Sequence, residues 1–578
     1  MRFRLYTIAM LVMAASLAIG ASRTDATVIH VDATAPLGGD GLTWDTAYRY
    51  LQDALLLATA NDEVRIAVGI YRTGDDEAGI DWPDPRGATF PLNPGVEIYG
   101  GYAGRGEPGN EDTRDINAYP TILSGDRQGD DADIADPADM LWHTSRQDNS
   151  YHVITDMGSD PSTILDGLII SHGNASEPLY VINQSGAGIQ NLQGGSPTIR
   201  NCTFRRNAAH GYSVGGAIAN EDNCYALVVN CLFEANWAGA GGAIACWGPT
   251  SNPRVVNCTF RRNGAEEGGA VHLLISSPTL INCVFEGNRG GSGGALVSSH
   301  ANPTLVNCTF AGNRAFYTNG GAILGLAPGN TALINCTISG NYAEYYGGGI
   351  CCMDSAVFDL RNSIIYGNTA GEVSSCYDIL IDVMGTVNAD YCQLGCVGNW
   401  GGWYNPTVVI QWLEPYFLRP PDDGGNGWGD DSTTPTINEG ADDDYGNLRL
   451  THLSPGIDAG SDLLVPADTT DLDGDTNTTE RIPLDCAGRP RFFDYLGAAN
   501  SGVADPPAYP EVVDLGAFEY QAPGDFNNDG KVDIADFNQF VPCLTGPGGM
   551  SPACQKADFD GDGDVDLQDF AVFCTVFS

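Results

Sequence analysis

Acidic side chains in the last 54 residues have the types and the spacing of metal ligands. In each of two twelve-residue stretches, Asp or Asn stands at positions 1, 3, 5, 9 and 12, and glycine stands at position 6. Position 7 can add its backbone carbonyl. The candidate ligands are Asp525, Asn527, Asp529, Lys531, Asp533 and Asp536 in the first stretch, and Asp558, Asp560, Asp562, Asp564, Asp566 and Asp569 in the second. Ca²⁺ takes about six to eight hard oxygen ligands, and alternate residues of a tight loop bring them to one centre. The spacing therefore predicts two calcium sites rather than a merely acidic tail.

Each acidic stretch leads into a segment whose apolar residues recur at helical spacing, Phe537–Leu544 and Phe570–Phe577. We therefore predict a short helix after each loop. Cys543 and Cys554 flank a Gly/Pro-rich segment between the two stretches. In an exported chain these two thiols are expected to form a disulfide.

Both loops end on Asp rather than Glu, and no helix is predicted before either of them. In these features Gly524–Ser578 resembles the dockerin module, a duplicated unit of calcium loop and helix that docks to a cohesin partner. The resemblance implies a small α-helical, EF-hand-like module that holds Ca²⁺ and attaches the chain to a cohesin-like or envelope protein. The loops begin 33 residues apart, a longer linker than is usual in that family, and positions 10 and 11 differ (Ile534-Ala535 against Leu567-Gln568). Because that family reads its partner near those positions, no particular cohesin is predicted. A calcium-stabilised terminal tag is the alternative.

The middle of the chain repeats one phrase, Asn-Cys-x-Phe-x-x-Asn, followed in most copies by Gly-Gly-Ala and an aliphatic residue. Copies begin at Asn201, Asn230, Asn257, Asn282, Asn307, Asn335 and Asn362. The steps between them are 29, 27, 25, 25, 28 and 27 residues. A period in this range indicates stacked repeats. Each copy is rich in β-branched and aromatic residues and lacks helical spacing, so we predict an all-β fold, a parallel β-helix.

Stacking places equivalent residues of successive coils about 4.8 Å apart. Three inward or turn ladders are predicted. They are Cys202, Cys231, Cys258, Cys283, Cys308 and Cys336; Phe204, Phe233, Phe260, Phe285 and Phe310; and Asn207, Asn236, Asn263, Asn288, Asn313 and Asn341. We expect the cysteines to be free buried thiols, and the Gly-Gly pairs to lie at corners of close approach or positive φ. The asparagines of the third ladder are expected in left-handed turns, with each amide bonded to the next coil.

The repeats of Gly186–Asn368 resemble the passenger domains of bacterial polymorphic outer-membrane proteins and, more widely, secreted right-handed β-helix repeat proteins. That resemblance implies a right-handed solenoid used for surface display or adhesion. It brings no catalytic residue with it.

The rest of the chain divides around these repeats. Arg2, Arg4 and the apolar run Leu5–Leu17 predict a signal peptide over residues 1–20, with a membrane anchor as the less favoured alternative. No later stretch has the length and hydropathy to cross a membrane, so the protein is expected to be secreted or held at the cell surface. Residues 27–185 are predicted to form an N-terminal cap and irregular first coils, with an amphipathic helix over residues 45–58 whose cap could be Thr43. An acidic insertion, residues 129–148, is expected to be an exposed loop.

Regular repeats are assigned to residues 186–370, and the terminal module to residues 524–578. Between them, residues 371–522 are predicted to hold degenerate coils and a closing module that seals the far end of the solenoid. Within this part, Cys392 and Cys396 could close a local disulfide, and residues 471–475 could be an acidic turn or a further calcium site. Trp400, Trp403 and Trp412 could contact sugar rings, although packing is the more common role of clustered aromatics.

Charge excludes nucleic acid as a partner, because 73 acidic residues stand against 27 basic ones and the net charge is −46. We favour a secreted adhesion or interaction protein, which could bind a polysaccharide. The alternative is a polysaccharide-active enzyme, either a pectate-lyase-like lyase or an O-glycosyl hydrolase. Candidate polar residues for such chemistry are Arg205-Arg206, Arg261-Arg262, Glu266-Glu267, His210 and His272. Fold analogy alone is a weak argument for activity, and no carboxylate cluster matches these residues along the repeats, so no catalytic residue is assigned.

Overall fold

The computed structural model describes most of the chain between residues 26 and 576. The described ranges are 26–107, 109–134, 136–176, 185–210, 213–221, 223–371, 378–424, 428, 443–493, 495, 498–504, 511–521, 524–526, 532–544, 554, 557 and 564–576. The predicted signal peptide lies outside these ranges. Within them, no helix is both long and apolar enough to cross a membrane.

Four parallel β-sheets run the length of a solenoid, and the chain visits them in the order sheet 1, sheet 2, sheet 3 and sheet 4 in each regular coil. The coil that begins at Thr198 shows this order, and every strand pairs in parallel with the equivalent strand one coil later. This is the predicted parallel β-helix. The phrase Asn-Cys lies at the junction between sheets 1 and 2, and the second Asn lies between sheets 2 and 3.

Among the described residues, sheet 1 has 13 strands and sheet 2 has 12. The strands of sheet 1 are Val28–Val31, Glu63–Ala67, Glu97–Tyr102, Ile164–Asp166, Thr198–Arg200, Leu227–Val229, Arg254–Val256, Thr279–Ile281, Thr304–Val306, Gly329–Ile334, Ala356–Arg361, Thr386–Asp390 and Trp403–Pro406. The strands of sheet 2 are Gly69–Arg72, Thr121–Ser124, Leu168–Ser171, Thr203–Arg205, Leu232–Glu234, Thr259–Arg261, Val284–Glu286, Thr309–Ala311, Thr337–Ser339, Ile364–Ile365, Cys392–Leu394 and Val409–Gln411.

In the same described part of the chain, sheet 3 has 8 strands and sheet 4 has 11. The strands of sheet 3 are Asn174–Ala175, Ala208–Ala209, Trp237–Ala240, Gly264–Glu267, Arg289–Ser292, Arg314–Ala315, Tyr342–Ala343 and Thr369–Ala370. The strands of sheet 4 are Phe90–Pro91, Ile154–Met157, Ile189–Leu192, Ile218–Glu221, Ile244–Trp247, Val271–Leu274, Leu296–Ser299, Ile323–Leu326, Ile350–Cys352, Ile379–Ile381 and Val397–Asn399. An antiparallel pair, Phe417–Arg419 with Asn447–Leu450, lies outside the solenoid.

Among the described residues, helices are few and short. The α-helices are α1 (Leu51–Leu57), α2 (Ile534–Phe540) and α3 (Leu567–Val576). The 3₁₀ helices are Pro85–Gly87, Gly104–Gly106, Pro137–Trp142, Thr144–Arg146, Asp462–Leu464 and Val541–Cys543.

The interior of the solenoid is built from aligned apolar side chains, as the repeats predict. The rings of Phe204, Phe233, Phe260, Phe285 and Phe310 are fully buried and stacked, with centroid separations of 4.9, 4.9, 4.7 and 4.4 Å. The cysteine ladder is buried and its thiols are free, as expected. Burial raises the pKa of the Cys202, Cys231 and Cys308 thiols, which keeps them protonated and inert.

Buried asparagine amides link the coils at the junction between sheets 2 and 3. Asn288 is typical: its Oδ1 accepts from the backbone N–H and the Nδ2 of Asn263, both at 3.0 Å. Its own Nδ2 donates to the Oδ1 of Asn313 and to the carbonyl of Phe260, both at 2.9 Å. At the far end, Asp378 replaces asparagine as the acceptor for Asn368, at 2.9 Å. The predicted bond to the next coil is therefore confirmed.

The predicted left-handed conformation of this ladder is wrong. Positive φ falls instead on the preceding residue, such as Arg206 at 55°, and on the first asparagine of the phrase, such as Asn201 at 54°. The buried amide needs an extended backbone to aim along the stack, so the turn is made one residue earlier. At the Gly-Gly corners the expectation holds. Gly293 has a φ of 58°, and a Cβ on Gly294 would lie 2.0 Å from a backbone oxygen of the next coil.

The N-terminal cap contains a shorter helix than the sequence predicts. Only α1 is helical, and its N-cap is Tyr50, which makes no side-chain capping bond, so the capping role suggested for Thr43 is wrong. Residues 45–50 form turns and bends around Tyr48, which pairs with the first strand. Its N–H donates to His30 at 2.9 Å, and its carbonyl accepts from Asp32 at 2.8 Å. This pairing covers the edge of sheet 1, which outweighs the amphipathic pattern.

The acidic insertion is packed against the solenoid, so its predicted exposure as a loop is wrong. Met140 and Leu141, in the 3₁₀ helix Pro137–Trp142, are buried against Ala208 and Trp237 of sheet 3. Arg146 is also buried and donates to the carbonyls of Gly173 and Arg206. Its guanidinium lies 3.5 Å from Asp131. Burial raises the pKa of Asp131 to about 6 and lowers that of Arg146 to about 10.

The segment predicted to seal the far end lies along the flank of the coils instead. Val465, Ile482 and Val513 pack on a row of buried residues at the ends of sheet 1 strands, Val256, Ile281, Val306 and Ile334. Asn362 and Ser461 exchange two hydrogen bonds of 2.9 Å, and Arg491 donates to Asn307 at 2.8 Å. The first asparagines of the phrase therefore bind this flanking segment as well as each other.

The disulfide predictions have opposite outcomes. Cys543 and Cys554 are bonded, as predicted. The suggested Cys392–Cys396 bond is wrong, because Cys392 is a free buried thiol while Cys396 is disulfide-bonded elsewhere. Cys392 faces the solenoid interior as a continuation of the cysteine ladder.

The asparagine ladder yields a stability prediction. Asn288→Ala removes four hydrogen bonds and leaves buried polar groups of Asn263, Phe260 and Asn313 without that partner. We expect a loss of about 2–5 kcal/mol in the free energy of unfolding, measured by urea titration. Asn405→Ala is the matched control, because its exposed amide makes only one such bond, to Asn388. It should cost less than about 0.5 kcal/mol. Equal losses of unfolding free energy in the two variants would contradict the proposed contribution of the buried ladder to stability.

Candidate functional site

The terminal module is organised around a small aromatic core between α2 and α3. Phe540 and Phe573 are buried with ring centroids 4.9 Å apart, and Phe526, Phe537 and Phe570 pack around them. Val532 and Val565, at position 8 of each loop, are buried in the same core. Both helices begin at loop position 10, earlier than the sequence predicts, and their existence is confirmed.

In the first loop, Asp536 at position 12 joins the two ends of the loop. Its Oδ1 accepts from the N–H of Phe526 at 2.8 Å, and its Oδ2 accepts from the N–H of Asp533 at 3.0 Å. Asp533 in turn caps α2 by accepting from Ala535 at 2.7 Å, which completes a capping box. Asp536 is fully buried and Asp525 nearly so. The carboxylates of positions 1 and 12 are therefore held inside the loop.

The second loop repeats this arrangement. Asp569 accepts from the N–H of Asp566 at 2.8 Å, and Asp566 accepts from that of Gln568 at 2.6 Å. Carboxylate oxygens of Asp564, Asp566 and Asp569 lie within 4.8 Å of one another. Three acidic oxygens at this separation repel one another unless a cation lies between them, so the residues fit a hard divalent ion. The sequence expects only the carbonyl of Asp564 to bind; the structure brings its carboxylate into the cluster as well.

Six of the predicted ligands lie outside the described residues. They are Asn527, Asp529, Lys531, Asp558, Asp560 and Asp562. The other six are the residues just described. The structure clusters the carboxylates of Asp564, Asp566 and Asp569 in the second loop, and in the first loop it places Asp536 against the backbone N–H groups of Phe526 and Asp533.

Two aliphatic side chains are exposed at the start of the helices. Ile534 and Leu567, both at loop position 10, are 62% and 77% exposed, whereas the phenylalanines of the module are buried or half-buried. These residues are equivalent in the two halves of the module. They give the module two exposed apolar side chains that are not part of its own core.

Of the polar residues considered for catalysis, Arg262 and Glu266 line one cleft on sheet 3, and several others lie in separate pairings. Arg261 pairs with Glu286 at 2.8 Å, and His272 lies 3.3 Å from Glu267. The hydrogen bond from His272 lowers the pKa of Glu267. On other coils, Arg206 forms an ion pair with Asp133 in the insertion, and His210 packs edge-on against Trp142. These pairings make most of the candidates structural.

Other candidates lie at the far end and on the flank. Trp400, Trp403 and Trp412 are each half or more exposed near the last coil. Asp471, Asp473 and Asp475 bring carboxylate oxygens within 4.8 Å of one another, but Asp471 and Asp473 already accept backbone N–H groups of their own turn. The solvated acidic turn is sufficient to explain that group.

Two protein families match parts of this chain. The model of the right-handed beta helix region matches residues 162–310 and 275–383, and the model of the dockerin type I domain matches residues 523–573. The chain is a right-handed parallel β-helix repeat protein with a C-terminal dockerin-like module. Among curated proteins no sequence matches it.

Some solved structures are similar to this chain at low identity. Pectate lyase Pel9A is 14% identical, with 86% of this chain and 96% of that chain covered and a TM-score of 0.39. The alginate lyase AlyGC of family PL6 is 12% identical, with 69% and 55% covered and a TM-score of 0.30. A complex of XylC with xylose is 10% identical, with 69% and 88% covered and a TM-score of 0.33. These values are too low to bear on the activity of this chain.

Proposed function

We propose that this protein is a secreted or cell-surface β-helix protein for adhesion or interaction, attached to its partner through the calcium-loaded module of residues 524–578. The observation that carries the proposal is the duplicated loop and helix, matched by the dockerin type I model, on the end of a rigid solenoid. The predicted signal peptide supports export. The solenoid then serves as the part that is displayed.

Calcium in this proposal is held by the twelve residues that the sequence selects. Asp525, Asp533 and Asp536 would bind the first ion, with the three ligands of that loop that lie outside the described residues. Asp564, Asp566 and Asp569 would bind the second ion, with their own three partners. Position 12 connects the ion to the helix, because Asp536 and Asp569 each accept a backbone N–H from position 9.

Removing calcium is expected to unfold the module while the solenoid stays folded. Helices of seven and ten residues are too short to be stable alone, and clustered carboxylates repel one another without a cation. Calorimetric titration of the metal-free chain should show two strong calcium sites, with a gain of helical circular dichroism. In the double variant Asp536→Ala, Asp569→Ala, the calcium affinity of both sites should fall by more than about tenfold.

Asp45→Asn is the control for that titration, since Asp45 is 95% exposed and distant in sequence from the loops. It should bind calcium like the unchanged chain. If the unchanged chain takes up no calcium, or takes it up with no change in helix content, the assignment of the twelve ligands is wrong.

Docking is expected to use the exposed pair Ile534 and Leu567. We expect calcium-dependent capture of the chain by at least one member of a panel of immobilised cohesin domains. Changing both residues to Asp should weaken capture by more than about tenfold, because apolar anchors at the centre of an interface carry much of its energy. Leu37→Asp, at a leucine that is 61% exposed near the N-terminus, should leave capture unchanged. Capture that survives the double change would place the contact elsewhere on the module.

A further inference from the structure

A cleft of about 460 Å³ opens on the face of sheet 3, between the packed insertion and the coils that follow it. Its volume is within the range of sites that bind small molecules or short chains, about 300–1,000 Å³. The walls combine basic and aromatic side chains. They include Arg262, Arg289, Arg314, Trp237, Phe316 and Tyr317.

The floor of the cleft is one column of the repeat, the residue that follows each ladder asparagine. Parallel pairing places Trp237, Gly264, Arg289, Arg314 and Tyr342 in register on successive coils. Because the asparagine points inward, its neighbour points outward. The outward residues of this column therefore vary from coil to coil, while the buried asparagines beside them do not. Successive residues of the column are about 4.8 Å apart.

Aromatic rings flank the two central arginines. The Trp237 ring extends over Gly264, where an added Cβ would lie 2.6 Å from it. The guanidinium of Arg289 lies 5.8 Å from the centroid of Phe316, and that of Arg314 lies 5.5 Å from Tyr342. Stacking of this kind holds a guanidinium plane in place while leaving its N–H edge available.

The two arginines are incompletely neutralised. Asp136 approaches Arg289 at 3.6 Å, and Arg314 donates to the carbonyl of Trp428 at 3.2 Å. Within the described part of the chain, the buried Nε atoms of Arg289 and Arg314 have no hydrogen-bond partner. Like charges directly opposite on neighbouring strands are destabilising, and an unpaired buried donor adds to that cost. A ligand that brings negative charge to the outer N–H groups would relieve the repulsion between the two arginines.

We propose that this cleft binds an anionic sugar chain through its carboxylate or sulfate groups. Arg289 and Arg314 would take two oxygens of an acidic group in the planar fork that guanidinium offers. The exposed ring of Tyr317 and the partly buried ring of Trp237 would lie against the apolar faces of the sugars, and the Glu266 carboxylate would accept from hydroxyl groups. This combination of stacked rings and guanidinium forks fits a sugar chain better than a single small anion, which needs no rings.

The inference rests on the ligand-binding role proposed for the solenoid and does not depend on the terminal module. Binding is therefore measured on the full chain in EDTA and again in calcium. A failure of docking to cohesin would leave the result unaffected. Binding found only in calcium would mean that ions bridge the polymer to the acidic surface, which would overturn the role of the arginines.

Pairs of polymers with one backbone test the requirement for charge. Calorimetry would compare galacturonate oligomers with their methyl esters, and dextran sulfate with dextran. We expect the anionic member of at least one pair to bind, with an affinity that falls as the salt concentration rises. Binding in the galacturonate pair would indicate recognition of carboxylate groups, and binding in the dextran pair would indicate recognition of sulfate groups. Equal binding within both pairs, or no binding of any polymer, would overturn the proposal.

Variants with opposite expected signs locate the site. Arg289→Gln with Arg314→Gln should weaken binding by about a hundredfold. Asp136→Asn should strengthen it several-fold, because it removes the competing carboxylate while its amide can still cap the 3₁₀ helix. Arg261→Gln is the control. It also removes one positive charge, but Arg261 lies on sheet 2, beside Arg262 in the same coil, and pairs with Glu286. If Arg261→Gln weakens binding as much as the double change, or if Asp136→Asn weakens it, the cleft is not the site.

Discussion

The structure depends on the chain of buried asparagine amides between sheets 2 and 3. Each amide bonds to groups of both neighbouring coils, as Asn288 does with Asn263 and Phe260 of the preceding coil and with Asn313 of the next. A buried amide without partners is costly, so the ladder tolerates only one registration of the coils. The stacked phenylalanines beside the ladder bury additional apolar surface, but stacking alone would allow one coil to shift in register against the next. The amides fix the register, and the register aligns everything outside it.

Fixed register makes the outer positions free to vary. A residue that follows a ladder asparagine contributes nothing to the stack, so this column can be Trp237, Gly264, Arg289, Arg314 and Tyr342 in succession without changing the fold. The acidic insertion uses part of the same face, where Met140 and Leu141 pack on sheet 3. Its end also forms one wall of the cleft. A scaffold with an invariant interior and a variable face is well suited to binding, because a change in the face leaves stability almost untouched.

The sequence predicts the solenoid because its period is visible residue by residue, and it predicts the twelve-residue loops for the same reason. It fails where non-periodic segments meet the coils. Nothing local marks residues 45–50 as non-helical, since Tyr48 is held by a strand rather than by its own neighbours. The insertion looks solvated because its two buried apolar residues are adjacent and isolated among acids. The flanking segment binds Asn307 and Asn362, whose repeat position suggests only a turn. The arginine column could have been found by aligning the repeats on the second asparagine.

The solenoid and the terminal module obtain their stability from different interactions, so they are expected to respond differently to calcium. The solenoid is held by continuous buried ladders of hydrogen-bonded amides and stacked rings, so calcium is not expected to alter it. In the module, by contrast, Asp536 and Asp569 hold loop ends against short helices around five phenylalanines, and the same carboxylates repel one another within each loop. Under the proposed function, a fall in calcium would release the attachment while the displayed face stays intact. A protein of net charge −46 gains from this arrangement, because the ions neutralise two loops in which acidic groups are crowded.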